Sequence, residues 1–256
     1  MHPVLFQIGP VKVFAWGFML ALAVIIAVIG IGRQLEKEGY KAEMGMDLIL
    51  LAVVFGIIGG RVAYIVTYEW TDFLTNPWMV LSFRDGGVQG LVWYGSLVGG
   101  VIPFLWYLRK KALPVWPVVD IFAPFLALGY AVVRIGCFLG GCCYGKVTSS
   151  PLGLVFPTVD TCTRYPTQLF SSVLNFVLFL VLIWLYPRRR FPGQVFIVYI
   201  IGYSVYRFIV EYFRESLIMV GPISLGQVCT LVLLGIGIAL YFWRKSSWEK
   251  NRGLDQ

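Results

Sequence analysis

Seven long apolar runs set the limits on what this chain can fold into. They lie near Val11–Ile31, Asp47–Tyr68, Val88–Leu108, Val115–Leu139, Thr167–Tyr186, Gly193–Phe213 and Ser224–Trp243. Each has about the 17–25 residues that a helix needs to cross a ~30 Å hydrocarbon core. In lipid, backbone polar groups must be satisfied within the segment, so such runs fold as helices. The composition agrees, at 59% hydrophobic and 13% charged over 256 residues, against roughly 45–50% and ~25% in a soluble domain. Too few polar residues remain to coat a water-facing surface. The expected fold is all-α: a polytopic integral membrane protein of seven transmembrane helices. It forms one domain over residues 1–256 with a short basic tail at 244–256. The first run is too long for the apolar core of a signal peptide and has no basic segment before it, so it is expected to remain as a membrane helix.

The net charge of +8 reads as a topology signal in such a chain and gives no reason to expect a nucleic-acid partner. Arg33, Lys37 and Lys41 follow the first run, Arg109, Lys110 and Lys111 the third, Arg188, Arg189 and Arg190 the fifth, and Arg244, Lys245, Lys250 and Arg252 the last. The alternate connections hold only Arg84, then Lys146 and Arg164, then Arg214. Basic residues concentrate on the cytoplasmic side, so the N-terminus is placed outside and the C-terminus inside, as seven crossings require. Glycines at Gly56, Gly59, Gly60 and at Gly95, Gly99, Gly100 let helix backbones approach closely.

Several arginines lie in or beside these runs. Arg61 is in the second, Arg134 in the fourth, and Arg207, Glu211 and Arg214 share one face of the sixth at spacings of four and three. Placing a guanidinium at a membrane helix centre costs about 2.5–3.5 kcal/mol, and an arginine cannot shed its charge there. Glu211 can pair with Arg207, and Asp85 at the outer interface can serve one more. One or two carboxylates do not neutralise four arginines. If these residues converge, the excess predicts an anionic ligand toward the outer leaflet, such as a phospholipid head group. Arginine suits that task because its planar fork bonds two phosphate oxygens at once.

Tyr94 opens the third run and is either an interface anchor or a phenol that handles a proton near the head group. Gln168 opens the fifth run and can hydrogen-bond a head group. Cys137, Cys142 and Cys143 cluster in sequence, with Cys162 nearby and Cys229 apart. Their spacing is not a standard zinc pattern and the one histidine is His2, so no metal is expected. A disulfide to Cys162 is open to this loop in an oxidising compartment.

Taken together, these residues resemble the bacterial prolipoprotein diacylglyceryl transferase family. The resemblance runs through His2–Pro10, Gly59-Gly60-Arg61-Val-Ala-Tyr64, Asp85-Gly86-Gly87, Arg134-Ile-Gly136-Cys-Phe138, Gly145, Arg164-Tyr-Pro166-Thr-Gln168 and Tyr203 to Arg214, in the family's order. It implies an inner-membrane enzyme that moves diacylglyceryl from phosphatidylglycerol to the thiol of a lipobox cysteine in a preprolipoprotein signal peptide. Glycerol-1-phosphate leaves, and no cofactor is implied. The resemblance makes Arg134 and Arg207 the essential arginines at the phosphate. Arg61, Asp85, Glu211 and Arg214, with Gly136, Gly145 and Gln168, become the surroundings of the phospholipid, and Tyr94 a catalytic candidate for removing the thiol proton.

The chain also departs from the family pattern. The family's signature has glycine where this chain has Val133, asparagine at Cys137 and Gly140, and glutamate at Cys142. Histidines are replaced by Tyr94 and Tyr165, and a tyrosine by Trp16. The arginines are kept while the residues that could accept a proton are altered, so the resemblance reaches the donor lipid further than the acceptor. Two other readings stay open: a related membrane transferase with another lipid donor or acceptor, and a non-catalytic phospholipid-binding or transport protein. A transporter would more often show broken or repeated helices, and the chain shows no evident repeat.

Overall fold

The computed structural model describes residues 2–9, 11–76, 90, 92–215 and 219–254. The chain begins with a β-hairpin, β1 (Val4–Ile8) and β2 (Val11–Phe14), paired antiparallel from Val4↔Phe14 to Ile8↔Val11. The first apolar run was expected to be helical from Val11, but it is extended up to Phe14. Alternating β-branched and aromatic residues on both sides of Gly9-Pro10 favour a tight hairpin there, and Gly9 supplies the positive φ of +59°. The helices α1 (Ala15–Lys37), α2 (Glu43–Tyr68), the short α3 (Trp70–Thr75), α4 (Trp93–Lys110) and α5 (Val115–Leu139) follow. A small hairpin, β3 (Leu154–Val155) with β4 (Thr163–Arg164), leads into α6 (Thr167–Leu185) and a 3-10 turn at Tyr186–Arg188. Then come α7 (Gln194–Tyr212), a third hairpin of β5 (Met219–Val220) and β6 (Ile223–Ser224), and α8 (Leu225–Leu254).

Among the described residues, six helical segments are long and apolar enough to cross a membrane: α1, α2, α5, α6 with its following turn, α7 and α8. This is a multi-pass membrane protein. The helix at the remaining expected position, α4, has 18 residues and carries Pro103, Arg109 and Lys110, which leave it less apolar than the others. Leu22, Ile25, Leu50, Val54, Val62 and Val232 are exposed along the spans, where lipid takes the place of a protein partner. Buried polar side chains in the spans bond back to their own helix, as in Ser171 Oγ to Thr167 O at 2.7 Å, Asn175 Nδ2 to Ser171 O at 2.7 Å and Ser204 Oγ to Ile200 O at 2.8 Å. The expected basic tail after Trp243 is instead the last turns of α8 as far as Leu254. Arg244 anchors it by donating Nε–H to Pro192 O at 3.1 Å and stacking over Trp116 at 5.2 Å.

The chain divides into two compact units. In the unit Val28–Val115, α2 packs closely on α4. A side chain at Gly59 would meet the backbone of Gly95 and Gly99, and one at Gly95 would meet Gly59 O and Ala63. The small residues therefore set the helix separation, as their spacing predicted.

The other unit comprises Met1–Ala27 and Trp116–Gln256. Here Gly136 of α5 crosses the start of α1, where an added Cβ would lie 3.0 Å from both Trp16 Cα and Met19 Cβ. At the opposite end of α5, Asp120 is fully buried and accepts the N–H groups of Gly193 at 2.7 Å and Phe196 at 2.9 Å. A carboxylate there satisfies the free donors of the α7 N-terminus and its positive dipole end. The start of α8 is closed by a capping box: Gln227 N donates to Ser224 Oγ at 3.1 Å, and Ser224 N to Gln227 Oε1 at 2.9 Å.

Candidate active site

The last turns of α5 bring Arg134 to a half-buried position four residues beyond Tyr130. Its guanidinium lies over the Tyr130 ring, 4.6 Å from the centroid, and donates Nη2–H to the Tyr130 hydroxyl. Among the described residues no carboxylate meets Arg134. Tyr130 also packs edge-on against Tyr203 at 6.3 Å and near Tyr206 at 6.5 Å, which ties this part of α5 to α7. Tyr203 in turn lies within electrostatic reach of Arg134, Arg207 and Glu211. The sequence reading missed Tyr130, although its i−4 position was a usable signal.

On α7, Arg207 Nη2 and Glu211 Oε2 form the expected i,i+4 ion pair at 2.8 Å. Glu211 is buried and packs against Gly226, where an added Cβ would sit 2.7 Å from Oε1. The carboxylate therefore lies beside the first turn of α8, where the helix dipole also favours a negative charge. Nη1 of Arg207 is buried and has no hydrogen-bond partner among the described residues. Arg214 follows the end of α7, within electrostatic reach of the Cys143 sulfur.

The loop after α5 is folded tightly onto α6 and α7. Gly141 and Cys143 adopt left-handed backbone conformations, with φ of +71° and +64°. For a non-glycine residue this costs about 1–3 kcal/mol and persists only where neighbours enforce it. They do so here: Gln168, fully buried, donates Nε2–H to Cys142 O at 2.6 Å, and Thr167 Oγ1 donates to Cys143 O at 2.8 Å. Gln168, expected at a head group, uses Nε2 to hold loop backbone, and its Oε1 is buried with no hydrogen-bond partner among the described residues. Gly145 donates its N–H to Tyr165 O at 2.8 Å, and Lys146 donates to Phe213 O at 2.9 Å. A Cβ at Gly145 would clash with Phe213 O, Thr167 and Tyr165. Gly136 and Gly145 thus serve close packing around Arg134.

The turn gathers three thiols. The sulfurs of Cys137, Cys142 and Cys143 all lie within 4.8 Å of one another. All five cysteines are free thiols, so the disulfide to Cys162 left open by the sequence is not formed. Thiol hydrogen bonds from Cys137 and Cys142 hold the Cys143 thiol below its ordinary range, with Arg134 and Arg214 adding to the effect. Farther along the loop, Arg164 pairs with Asp160 at 2.6 Å and Glu215 at 3.4 Å and lies 5.0 Å over the Tyr144 ring. The Arg164 hydrogen bond keeps the Asp160 carboxyl below its usual range.

The remaining expected site residues belong to the unit Val28–Val115. Arg61 is buried in α2 and pairs with Glu69 at 3.7 Å, with the Tyr64 ring 5.5 Å away. Arg61 therefore drops out of the expected pool of uncompensated arginines. Glu69 is the counterion here, from just beyond the end of α2. Tyr94 is 66% exposed and its ring packs edge-on to Trp93 at 5.2 Å. Asp85 lies outside the described residues.

Residues 3–243 match the model of a family described as prolipoprotein diacylglyceryl transferase. The chain is 35% identical over 258 residues to phosphatidylglycerol–prolipoprotein diacylglyceryl transferase 2 of Clostridium perfringens, covering 99% of each chain. It is 35% identical over 246 residues to the corresponding transferase of Clostridium tetani, covering 94% of this chain and 97% of the relative. The transferase of Vibrio cholerae is 34% identical over 263 residues, covering 100% of this chain and 94% of its own. The chain belongs to the prolipoprotein diacylglyceryl transferase family.

Proposed function

We propose that this protein transfers diacylglyceryl from phosphatidylglycerol to the lipobox cysteine of preprolipoproteins, at the outer leaflet of the bacterial inner membrane. The observation that carries the site assignment is Arg134: a permanent cation in a membrane helix, met by a phenol and by no carboxylate among the described residues. Arg207 has spent one amino group on Glu211 and keeps Nη1 available. A phospholipid phosphodiester supplies the missing acceptors, and two forked guanidiniums can hold its oxygens.

The reaction is displacement at carbon. The acceptor thiolate attacks C3 of the donor glyceryl, the C–S bond forms, and the C3–O bond breaks with its electron pair on the phosphate oxygen. Glycerol-1-phosphate leaves with one more negative charge than the diester carried. Arg134 and Arg207 bear that growing charge, and Arg214 strengthens the local potential; fixed donors of this kind are commonly the largest catalytic term. Gly136, Gly145 and Gln168 act by positioning the loop, and Arg61 supports the lipid from its own pair with Glu69. Asp85 keeps the supporting polar role that the family resemblance gives it. Tyr94 opens α4 with its side chain exposed and remains the candidate for removing the thiol proton.

In this reading α4 is the seventh crossing. Its 18 residues extend about 27 Å at 1.5 Å per residue, with Trp93 and Tyr94 at one interface and Arg109 and Lys110 at the other. The N-terminus is then outside and the C-terminus cytoplasmic. The test is transfer of labelled diacylglyceryl from phosphatidylglycerol vesicles to a lipobox peptide by purified protein. Wild type should transfer, and Arg134→Ala and Arg207→Ala should each fall by about 100–1,000-fold. Full activity in either variant refutes the assignment.

A further inference from the structure

The thiol cluster has no place in the reaction as written above, and it stands where the chain leaves its family's pattern. Cys137 and Cys142 occupy positions that the resemblance gives to asparagine and glutamate. The three sulfurs are within 4.8 Å of one another, with Cys137 buried and Cys142 and Cys143 exposed. Zinc–sulfur bonds of about 2.3 Å place tetrahedral ligands about 3.8 Å apart, so the thiols close on a metal with shifts of about 1 Å. Their backbone is already fixed. Cys142 N donates to Cys137 O at 3.1 Å, and Gln168 and Thr167 hold the carbonyls of Cys142 and Cys143 at 2.6 and 2.8 Å. The sequence spacing hides this because the chain doubles back through Gly141 and Cys143.

We propose that Cys137, Cys142 and Cys143 bind a thiophilic divalent cation, with zinc as the probe, and that its open fourth position takes the acceptor thiol. Three sulfur ligands and no histidine select a soft cation. Three protein ligands with one open position is the pattern of catalytic zinc, where closed structural sites use four. Three thiolates and Zn²⁺ carry a net charge of −1, and Arg214, within electrostatic reach of Cys143, offsets it. A coordinated thiol is deprotonated outright, which removes the need for a histidine base. The acceptor S–H gives its proton to water on coordination. The metal-bound sulfur then attacks glyceryl C3, the C3–O bond breaks, and the electron pair leaves on the phosphate held by the arginines. The neutral thioether is a weak ligand and is replaced by the next thiol. No electrons are exchanged with any outside reagent.

This inference rests on the transferase reading, and its test separates the two. Protein purified under a thiol reductant is loaded with zinc, dialysed and analysed for metal per chain, then assayed for transfer before and after chelation. Wild type and Cys229→Ser, a cysteine apart from the cluster, should retain about one zinc per chain. Cys142→Ser should lose affinity beyond the roughly 10–100-fold that outer partners of a metal site command. Cobalt in place of zinc should give thiolate charge-transfer bands in wild type that Cys142→Ser and Cys143→Ser weaken. Because Cys142 is exposed, that variant keeps the test usable if Cys137→Ser does not fold. Chelation should abolish transfer and zinc should restore it. Failure of reduced wild type to retain zinc, or equal retention by the cysteine variants, overturns the site. Zinc retained with transfer indifferent to chelation overturns its role. Zinc retained by a protein that never transfers supports the site and refutes the transferase reading instead.

Discussion

Two arginines in membrane helices of this molecule are treated in opposite ways. Arg61, in the unit Val28–Val115, is paired with Glu69 at 3.7 Å. Arg134, in the other unit, lies over Tyr130 and beside thiols, with no carboxylate among the described residues. Both incur the cost of taking a guanidinium out of water. The first has a carboxylate 3.7 Å away to offset its charge. The second recovers only part through a phenol, and its positive potential remains available to an anion that enters from outside. A charge kept uncompensated in a membrane helix marks where a ligand completes the structure. Arg207 stands between these cases, since Glu211 satisfies one amino group and Nη1 is left over.

The largest expected effect separates structural pairing from ligand binding at Arg207. Arg207→Ala breaks the ion pair of the buried Glu211 carboxylate and should destabilise the protein by about 3–5 kcal/mol, in addition to losing transfer. The double variant Arg207→Gln with Glu211→Gln should regain most of that stability in detergent unfolding, yet remain inactive. Recovery of both stability and transfer would show that the pair is purely structural.

The close-packed glycines should come next. Gly95→Ala forces a methyl against Gly59 O and Ala63, and Gly145→Ala forces one against Phe213 O. Each should lower stability by about 1–3 kcal/mol, visible as a lower melting temperature. Gly145→Ala should also slow transfer, because it displaces the loop next to Arg134, while Gly95→Ala acts on the α2–α4 contact.

Breaking the Arg61–Glu69 pair should matter less. Glu69→Gln should change stability by about 1 kcal/mol or less, and transfer by less than any change at Arg134. The smallest effect concerns the outer loop. The Asp160 pKa is depressed in the folded protein, so its contribution is full above the ordinary carboxylate value of ~3.9 and is lost as pH falls through the lower folded value. Hydrogen exchange in residues 144–166 should accelerate as the pH falls below the ordinary carboxylate range, and Asp160→Asn should exchange at that faster rate already at neutral pH.

Much of this was legible in the chain. The limits of α5 follow from a largely apolar sequence, broken only by Asp120 and Arg134 among charged residues, between Leu113-Pro114 and the glycines after Leu139. The Arg207–Glu211 pair follows from helical spacing alone, as the Arg134–Tyr130 contact could have. The N-terminal hairpin was hidden because Val11–Phe14 is as apolar as the helix it precedes, and length alone cannot separate the two. Glu69 was missed because pairing across a helix end has no fixed spacing. The roles of Gln168 and the three thiols depend on a chain reversal through a left-handed Cys143, which residue type does not announce.

The central claim is that an arginine without an internal counterion is the one that serves the donor phosphate. The measurement that tests it most directly compares initial rates of diacylglyceryl transfer for Arg134→Gln and Arg61→Gln at matched folded protein. The account predicts a loss of about 100–1,000-fold for Arg134→Gln and a far smaller loss for Arg61→Gln. Equal losses, or full activity in Arg134→Gln, would contradict it.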